Sequence, residues 1–204
     1  GINFDLPTGS TISGSVTRNQ TAGDGAHGSV ITWAPVYAYN ASTGAFVTQG
    51  TTGSTGNYTL VVPAGSYKVY TTGSPVRQNQ WNGGALSYGE AAAVSAPATV
   101  NFSLLPADYI TGRATQNNVN VANTLISAFV TDGRLAGNVL SDATGGTSPN
   151  YSIKLATTAA SGWQYKLRFI PATGQTRWYN NQTSFGAATA VNSPATGINQ
   201  ETPP

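Results

Sequence analysis

The sequence predicts an all-β protein made of two tandem Ig-like or transthyretin-like β-sandwiches, and three observations carry this prediction. Only 8% of the 204 residues are charged, whereas 24 are Gly and 11 are Pro. Short alternations of apolar and polar residues recur along the chain and are separated by Gly-, Ser- and Asn-rich turns, as in short antiparallel strands. The two halves of the chain also align with each other at an offset of about 97 residues.

The strands of the first repeat follow from alternation, because successive residues of a strand point to opposite faces. Each predicted strand is bounded by turn signals such as STG, STGN and PAGS. No segment keeps a helical period. The predicted strands centre on residues 12–16, 36–38, 58–62, 67–69 and 102–104.

The internal repeat fixes the predicted domain organisation. TISGSVT (residues 11–17) matches YITGRAT (109–115), NYTL (57–60) matches NYSI (150–153), and YKVY (67–70) matches YKLRF (165–169). Residues 80–99 match residues 177–196 in the same way. We therefore expect one sandwich over residues 8–105 and a second over 106–204, with LLPADY (104–109) linking them and residues 1–7 standing apart.

The order of these motifs resembles the carboxypeptidase regulatory-like domains, which are relatives of the collagen-adhesin B-type and transthyretin-like sandwiches. The resemblance covers nearly all of the first repeat and most of the second. It rests on ISGSVT, VYAYNASTG and GNYTLVVPAGSYKV, followed by a Trp and a Tyr-Gly pair. It implies a β-sandwich fold and an extracellular setting, and it implies no particular chemistry.

Residues 1–7 form a predicted strand whose apolar side chains, Ile2, Phe4 and Leu6, share one face. FDLP (4–7) matches FSLLP (102–106), which closes the first repeat, whereas the chain ends in QETPP without such a pair. We therefore expect the second sandwich to lack its closing strand. Donation of residues 1–7 to the next molecule would fill that gap and build a head-to-tail homopolymer. The alternative is a pair of units from a longer array, with neighbouring domains as partners.

The inventory of reactive residues argues against catalysis. The chain has no Cys and one His, His27, while its seven acidic residues are scattered among different loops. We expect no enzyme activity, no metal site and no cofactor. A net charge of +2 without a run of Lys or Arg argues against nucleic acid. No stretch approaches the ~20 apolar residues of a membrane span. The absence of Met favours a processed chain, located outside the cell or on its surface.

Aromatic residues are the remaining candidates for a binding site. Trp81 with Tyr88, and Trp178 with Phe185, recur at the same spacing in the two repeats. Tyr37 and Tyr39 alternate with small apolar residues, which predicts that they face outward. These rings either plug the ends of the sandwiches or form stacking platforms for sugars. The predicted function is a non-catalytic structural or adhesive subunit of a fibre or surface stalk. The alternative is a polysaccharide-binding accessory module of a secreted enzyme.

Overall fold

The computed structural model describes residues 9–19, 28–143 and 145–204, which form two compact units. Of the described residues, the first unit contains those up to Ser74 together with Gln78–Leu104. The second contains Pro75–Arg77 and Leu105–Pro204. The predicted donor residues Ile2, Phe4 and Leu6, and also His27, lie outside the described residues.

Two sheets make up the first unit. In one sheet, β1 pairs antiparallel with β4 and parallel with β8 and β9. The other sheet has the order β3-β2-β5-β6, and β7 also pairs with β5. A short 3-10 turn, Asn82–Gly84, follows β6. The strands are β1 (Ser10–Arg18), β2 (Pro35–Asn40), β3 (Phe46–Thr51), β4 (Asn57–Val62), β5 (Ser66–Thr71), β6 (Gln80–Trp81), β7 (Val94–Ser95), β8 (Ala98–Thr99) and β9 (Phe102–Leu104).

The core of the first unit lies between these two sheets. Ile12, Val16 and Leu60 come from the first sheet, and Val36 and Val69 come from the second. All five side chains are buried, and each contributes about 1.5–3 kcal/mol relative to an exposed position. The alternation in the sequence therefore selects the core, and the predicted β-sandwich class is confirmed.

The second unit repeats this plan. The strands β10 and β15 pair, β11 lies between β12 and β18, and the remaining sheet has the order β14-β13-β16-β17. A four-residue helix, α1 (Thr158–Ser161), follows β15. The strands are β10 (Ala107–Gly112), β11 (Ala114–Gln116), β12 (Val119–Asn120), β13 (Leu125–Val130), β14 (Leu135–Leu140), β15 (Tyr151–Ala156), β16 (Tyr165–Ile170), β17 (Arg177–Trp178) and β18 (Gln200–Glu201).

Matching tyrosines form a hydrogen bond to the backbone just before the last strand of each unit, which we call the closing segment. The Tyr58 hydroxyl donates a hydrogen bond to the carbonyl oxygen of Val100 at 2.7 Å. The Tyr151 hydroxyl donates to the carbonyl oxygen of Ile198 at 2.5 Å. Burial raises the pKa of both tyrosines, which keeps both hydroxyls protonated as donors at neutral pH. The same bond at the same place in both units shows that the sequence repeat is also a structural repeat.

Matching glycines allow the same two carbonyl groups to approach the first strand. A Cβ atom at Gly14 would lie 1.8 Å from the carbonyl oxygen of Val100, and one at Gly112 would lie 2.0 Å from that of Ile198. Backbone cannot move aside as a flexible side chain can, so both positions require glycine. These residues are the G of ISGSVT and of ITGRAT.

The second unit has a closing strand, so the prediction that it lacks one is wrong. Strand β18 runs parallel to β11, with Gln200 opposite Ala114. In the first unit, Phe102 lies opposite Val16 in the same arrangement. The second unit therefore closes with its own residues, and a polar side chain takes the place of Phe102.

Hydrogen bonds offset the free-energy cost of burying the polar side chains of Gln200 and Thr202. Gln200 is 4% exposed, and its Oε1 accepts a bond from the backbone N–H of Asn181 at 3.0 Å. Thr202 is fully buried and its hydroxyl donates to the carbonyl oxygen of Thr115 at 3.1 Å. A buried polar group that keeps its partners avoids most of the cost of leaving water.

Two further segments contain strands that the sequence pattern does not predict. The predicted linker LLPADY is largely strand, because only Leu105 and Pro106 lie between β9 and β10. The segment after Val130, which shows no regular pattern in the sequence, contains strand β14, paired with β13 through a register shift near Ala128. That irregularity explains why the alternation is difficult to recognise there.

Candidate ligand-binding face

Aromatic side chains cover the outer face of the β3-β2-β5-β6 sheet in the first unit. On β2, Val36 and Ala38 are buried in the core, whereas Tyr37 and Tyr39 point away from it and stay partly exposed. On β5, Tyr70 has the same outward orientation. The strict alternation of both strands places these tyrosines on one surface.

The rings form one continuous cluster with Trp81 at its centre. The Trp81 ring centroid lies 4.7 Å from that of Tyr70 and 5.3 Å from that of Tyr39. Tyr88 meets Trp81 edge-on at 5.3 Å. Tyr37 extends the cluster from Tyr70 at 6.1 Å, and Phe46 extends it from Tyr39 at 6.0 Å. We call these six residues the aromatic face: Tyr37, Tyr39, Phe46, Tyr70, Trp81 and Tyr88.

The segment that carries Trp81 is fastened to the sheet. The backbone N–H of Trp81 donates to the carbonyl oxygen of Ala85 at 2.9 Å. The buried Asn82 side chain accepts a hydrogen bond from the N–H of Val69 at 2.9 Å and donates one to the carbonyl oxygen of Ala92 at 2.7 Å. The central ring is therefore held in place before any ligand arrives, which lowers the entropic cost of binding.

Tyr88 and Lys68 contact each other at the edge of the aromatic face. The Tyr88 hydroxyl donates a hydrogen bond shared between the carbonyl oxygens of Asn40 and Ala41, each 3.0 Å away. The Lys68 ammonium donates to the carbonyl oxygen of Tyr88 at 2.7 Å and lies 4.2 Å from the centroid of its ring. One of the three N–H donors of the Lys68 ammonium is thus used by a backbone carbonyl oxygen, and the ammonium also makes a cation–π contact with the Tyr88 ring.

The aromatic face remains accessible to solvent. Phe46 is 56% exposed, and the other five residues are partly exposed. Burial raises the pKa of Tyr70, and a hydrogen bond with Asn79 opposes part of that increase. A tyrosine with a raised pKa keeps its proton at neutral pH. Its hydroxyl therefore presents an uncharged hydrogen-bonding group.

The second unit repeats the framework of this face. Trp178 contacts Phe129 and Phe185, each at 5.4 Å between ring centroids. The Lys166 ammonium donates to the carbonyl oxygen of Phe185 at 2.8 Å and lies 4.7 Å from its ring centroid. The predicted pair Trp178 and Phe185 therefore lies together, as Trp81 and Tyr88 do. In both units the tryptophan contacts an aromatic side chain, Tyr39 or Phe129, that alternates with buried residues and so points away from the core.

Arg168 changes the character of the second face. It pairs with Trp178 in the register in which Tyr70 pairs with Trp81. Its guanidinium carbon lies 5.1 Å from the ring centroid of Phe129 and 5.7 Å from that of Trp178. Trp178 is only 9% exposed. The guanidinium therefore lies within cation–π distance of both rings, and Trp178 offers little exposed surface for stacking.

Phe46 and Arg168 are not among the site residues that the sequence predicts. Phe46 follows the turn after β2, and its contact with Tyr39 depends on the β2–β3 register, which shifts by one residue at that point. The STG turn (residues 42–44) signals a hairpin, but it does not determine that register. Tyr70 alternates with Val69, so its outward orientation could be found from the sequence alone.

The described residues contain no metal-binding cluster and no membrane-spanning helix. No group of three or more His, Cys, Asp or Glu side chains in residues 9–19, 28–143 and 145–204 is arranged to hold a metal ion. Over the same residues, no helix has the length and apolar character needed to cross a bilayer.

Comparison with known proteins gives weak structural similarities. No family model matches the sequence, and no curated protein matches it. The shaft pilin SpaA from Lactobacillus rhamnosus GG aligns at 13% identity and a TM-score of 0.34, covering 97% of this chain and 98% of that one. A DUF3823 family protein from Bacteroides uniformis aligns at 16% identity and a TM-score of 0.34, covering 84% and 96%.

The Bacillus anthracis TIE protein aligns at 12% identity and a TM-score of 0.34 over 96% of this chain. The alignment spans about a third of the TIE protein, 34% of its length. These TM-scores are too low to transfer a fold or a function to this chain. The β-sandwich assignment therefore rests on the sheets and cores described above.

Proposed function

We propose that this chain is a non-catalytic structural protein of the cell surface or the extracellular space, in which tandem β-sandwiches carry tension along a stalk or fibre. One observation supports this proposal: in each unit, the first and last strands are parallel neighbours. In the first unit, β1 pairs in parallel with β8 and β9. In the second, β11 pairs in parallel with β18, and Ile110 of β10 forms a parallel bridge with Ala195.

Parallel terminal strands resist tension because the load falls on several hydrogen bonds at once. A pull applied along the chain draws the first strand one way and the last strand the opposite way, so the two strands must slide past each other. The bonds that resist sliding include Val100 N–H to the carbonyl oxygen of Ser13 at 2.8 Å and Asn19 N–H to that of Leu104 at 2.9 Å. A hairpin pulled open from its free end breaks its bonds one after another and yields at a lower force.

The second unit carries the equivalent bonds. The N–H of Gln200 donates to the carbonyl oxygen of Arg113 at 2.8 Å, and the N–H of Thr202 donates to that of Thr115 at 2.8 Å. Both units therefore have the strand arrangement that a load-bearing role needs. The resemblance to carboxypeptidase regulatory-like domains and the scarcity of charged residues support an extracellular setting for this role.

Single-molecule force spectroscopy tests the proposal. Pulling the full chain from its two termini should give two unfolding events, one for each unit, whose forces depend on the unfolding rate. The matched control pulls the first unit through Thr32→Cys and Ser54→Cys, which flank β2 and β3; the native chain has no Cys to interfere. This geometry unzips the β2–β3 pair and should yield at a clearly lower force. Equal or lower forces for the terminal pull would contradict a load-bearing role.

Head-to-tail strand donation is a more specific form of this proposal. Phe4 and Leu6 match Phe102 and Leu104 in sequence, and in a neighbouring molecule they would displace Gln200 and Thr202 from their places beside β11. Size-exclusion chromatography and negative-stain microscopy, with and without residues 1–7, test it. Filaments that disappear on deletion would support donation. A monomer in both cases would reject it and favour an array in which neighbouring domains of one chain are the partners.

A further inference from the structure

The aromatic face of the first unit contains more aromatic surface than the fold requires. The second unit builds the same sheet with Ser127 in place of Tyr37 and Arg168 in place of Tyr70. The two tyrosines are therefore not needed to form or close the sandwich. Large, partly exposed rings that the fold does not need indicate a binding surface.

The chemistry of the face selects a ligand that is flat, uncharged and rich in hydroxyl groups. The rings offer apolar surfaces, and Tyr37, Tyr39 and Tyr70 each add a hydroxyl group that can donate and accept hydrogen bonds. The six residues of the face are all aromatic, and the cation at its edge, Lys68, already donates one hydrogen bond to the Tyr88 carbonyl oxygen, so the face lacks the cluster of cations that would select a phosphate, sulfate or carboxylate. A pyranose ring combines an apolar C–H face with a rim of hydroxyl groups, and it satisfies both requirements.

The extent of the face indicates a chain of sugars and not a single sugar. Trp81 on β6, Tyr70 on β5, Tyr39 on β2 and Phe46 on β3 place rings on four neighbouring strands. The Trp81 ring leans towards Tyr39, with 5.3 Å between their centroids, and the Phe46 centroid lies 6.0 Å from that of Tyr39, so the rings of Trp81 and Phe46 are at most about 11 Å apart. That length accommodates more than one pyranose ring.

We propose that the aromatic face of the first unit binds a neutral polysaccharide, and that the second unit carries a blocked copy of the same site. Trp81 is the central stacking platform, and Tyr70 and Tyr37 extend it. In the second unit, the Arg168 guanidinium lies against Phe129 and Trp178, and Trp178 is nearly buried, so a neutral sugar would have to displace the guanidinium to stack there. The described residues then contain one polysaccharide site, in addition to any structural role of the chain.

Retention of the full chain on insoluble crystalline cellulose and chitin, and mobility in native gels containing soluble xylan or mixed-linkage β-glucan, test the proposal. Wild-type protein should bind at least one of these neutral polymers. Trp81→Ala and Tyr70→Arg should weaken the affinity about tenfold or more, as for loss of a central aromatic contact. Trp178→Ala is the matched control in the second unit and should leave the affinity unchanged.

Tyr37→Ser is a variant that should keep its fold, because the second unit has a serine at the matching position. It should weaken polysaccharide binding while its unfolding temperature stays close to that of the wild type. No retention on any neutral polymer would overturn the proposal. Equal losses for Trp178→Ala and Trp81→Ala would overturn the assignment to the first unit. A change of oligomeric state on Tyr70→Arg, without polysaccharide binding, would overturn it in favour of a face that binds a second copy of this chain.

Discussion

The outer faces of the two units share one framework. It is more exposed in the first unit and more buried in the second. Both contain a tryptophan that meets a second aromatic ring edge-on, with a lysine placed over that second ring. Because this arrangement occurs in both units, it belongs to the architecture of the sandwich. The residues that differ include Tyr70, whose ring contacts Trp81, and Arg168, whose guanidinium lies against Phe129 and Trp178. The comparison separates the part of an aromatic cluster that supports the fold from the part that is free to bind.

The closing strands provide a second comparison between the units. The first unit closes with an apolar side chain, Phe102, which is 1% exposed. The second closes with Gln200, which is 4% exposed and hydrogen-bonded. The parallel backbone pairing is the same in both cases. Backbone geometry is therefore retained while the chemistry of the side chains changes, and substitutions at matched positions test how far the equivalence extends.

The largest expected effect comes from the glycines beneath the closing segments. Gly14→Ala and Gly112→Ala would place a Cβ atom against the carbonyl oxygens of Val100 and Ile198. Each substitution must push the closing segment away from the first strand. We expect each to reduce the free energy of unfolding of its unit by about 4 kcal/mol or more. Differential scanning calorimetry of the full chain measures both units together.

Gly89→Ala and Gly186→Ala are the matched controls for these substitutions, because they add the same methyl group at corresponding positions of the two repeats. The nearest atom to a Cβ at Gly89 is 3.9 Å away, and nothing lies within 4 Å at Gly186. Both controls should change stability by less than about 0.5 kcal/mol. If Gly112→Ala were as mild as its control, the two units would not share one closing mechanism.

A smaller effect is expected at the closing strands themselves. Phe102→Gln removes a fully buried ring whose centroid lies 6.3 Å from that of Tyr58. The new amide would lack the hydrogen-bond partners that Gln200 has in the second unit. The substitution should lower the free energy of unfolding by about 3–5 kcal/mol. Gln200→Ala removes the acceptor of the Asn181 N–H and should cost about 1–2 kcal/mol. Urea denaturation gives both values. Equal costs would show that the two strands contribute alike despite their different chemistry.

These two strands also show what sequence patterns reveal. Phe102 and Leu104 alternate with Ser103, so β9 could be predicted from the sequence. Strand β18 could not, because its stability comes from backbone pairing with β11 and from hydrogen bonds of polar side chains. Neither contribution leaves an alternation of apolar and polar residues in the sequence.

The aromatic face is also only partly predictable from the sequence. Alternation along β2 predicts the outward orientation of Tyr37 and Tyr39. The central position of Trp81 depends on the pairing of β5 with β6 and on the fastening of Asn82, both of which join residues far apart from β2 in sequence. Most members of the cluster could therefore be predicted from sequence patterns, and only tertiary pairing shows which of them meet.

The smallest expected effect concerns a backbone position that the two units fill differently. Trp33 has a φ of 60° and is 72% exposed, whereas the corresponding loop of the second unit has Asn123 with a φ of 59°. Their N–H groups donate to the carbonyl oxygens of Thr52 and Ser141 in the same way. Asparagine tolerates the left-handed region and a bulky residue does not. Trp33→Asn should therefore stabilise the first unit by about 0.5–1 kcal/mol.

The reciprocal substitution, Asn123→Trp, should destabilise the second unit by a similar amount, and thermal unfolding measures both. Within the described part of the chain, no ring contact joins Trp33 to the six residues of the aromatic face. Trp33→Asn should therefore leave polysaccharide retention unchanged while it raises stability. If retention fell as stability rose, the strained conformation would mark Trp33 as a ligand contact maintained at the expense of stability, and the binding surface would extend beyond the aromatic face.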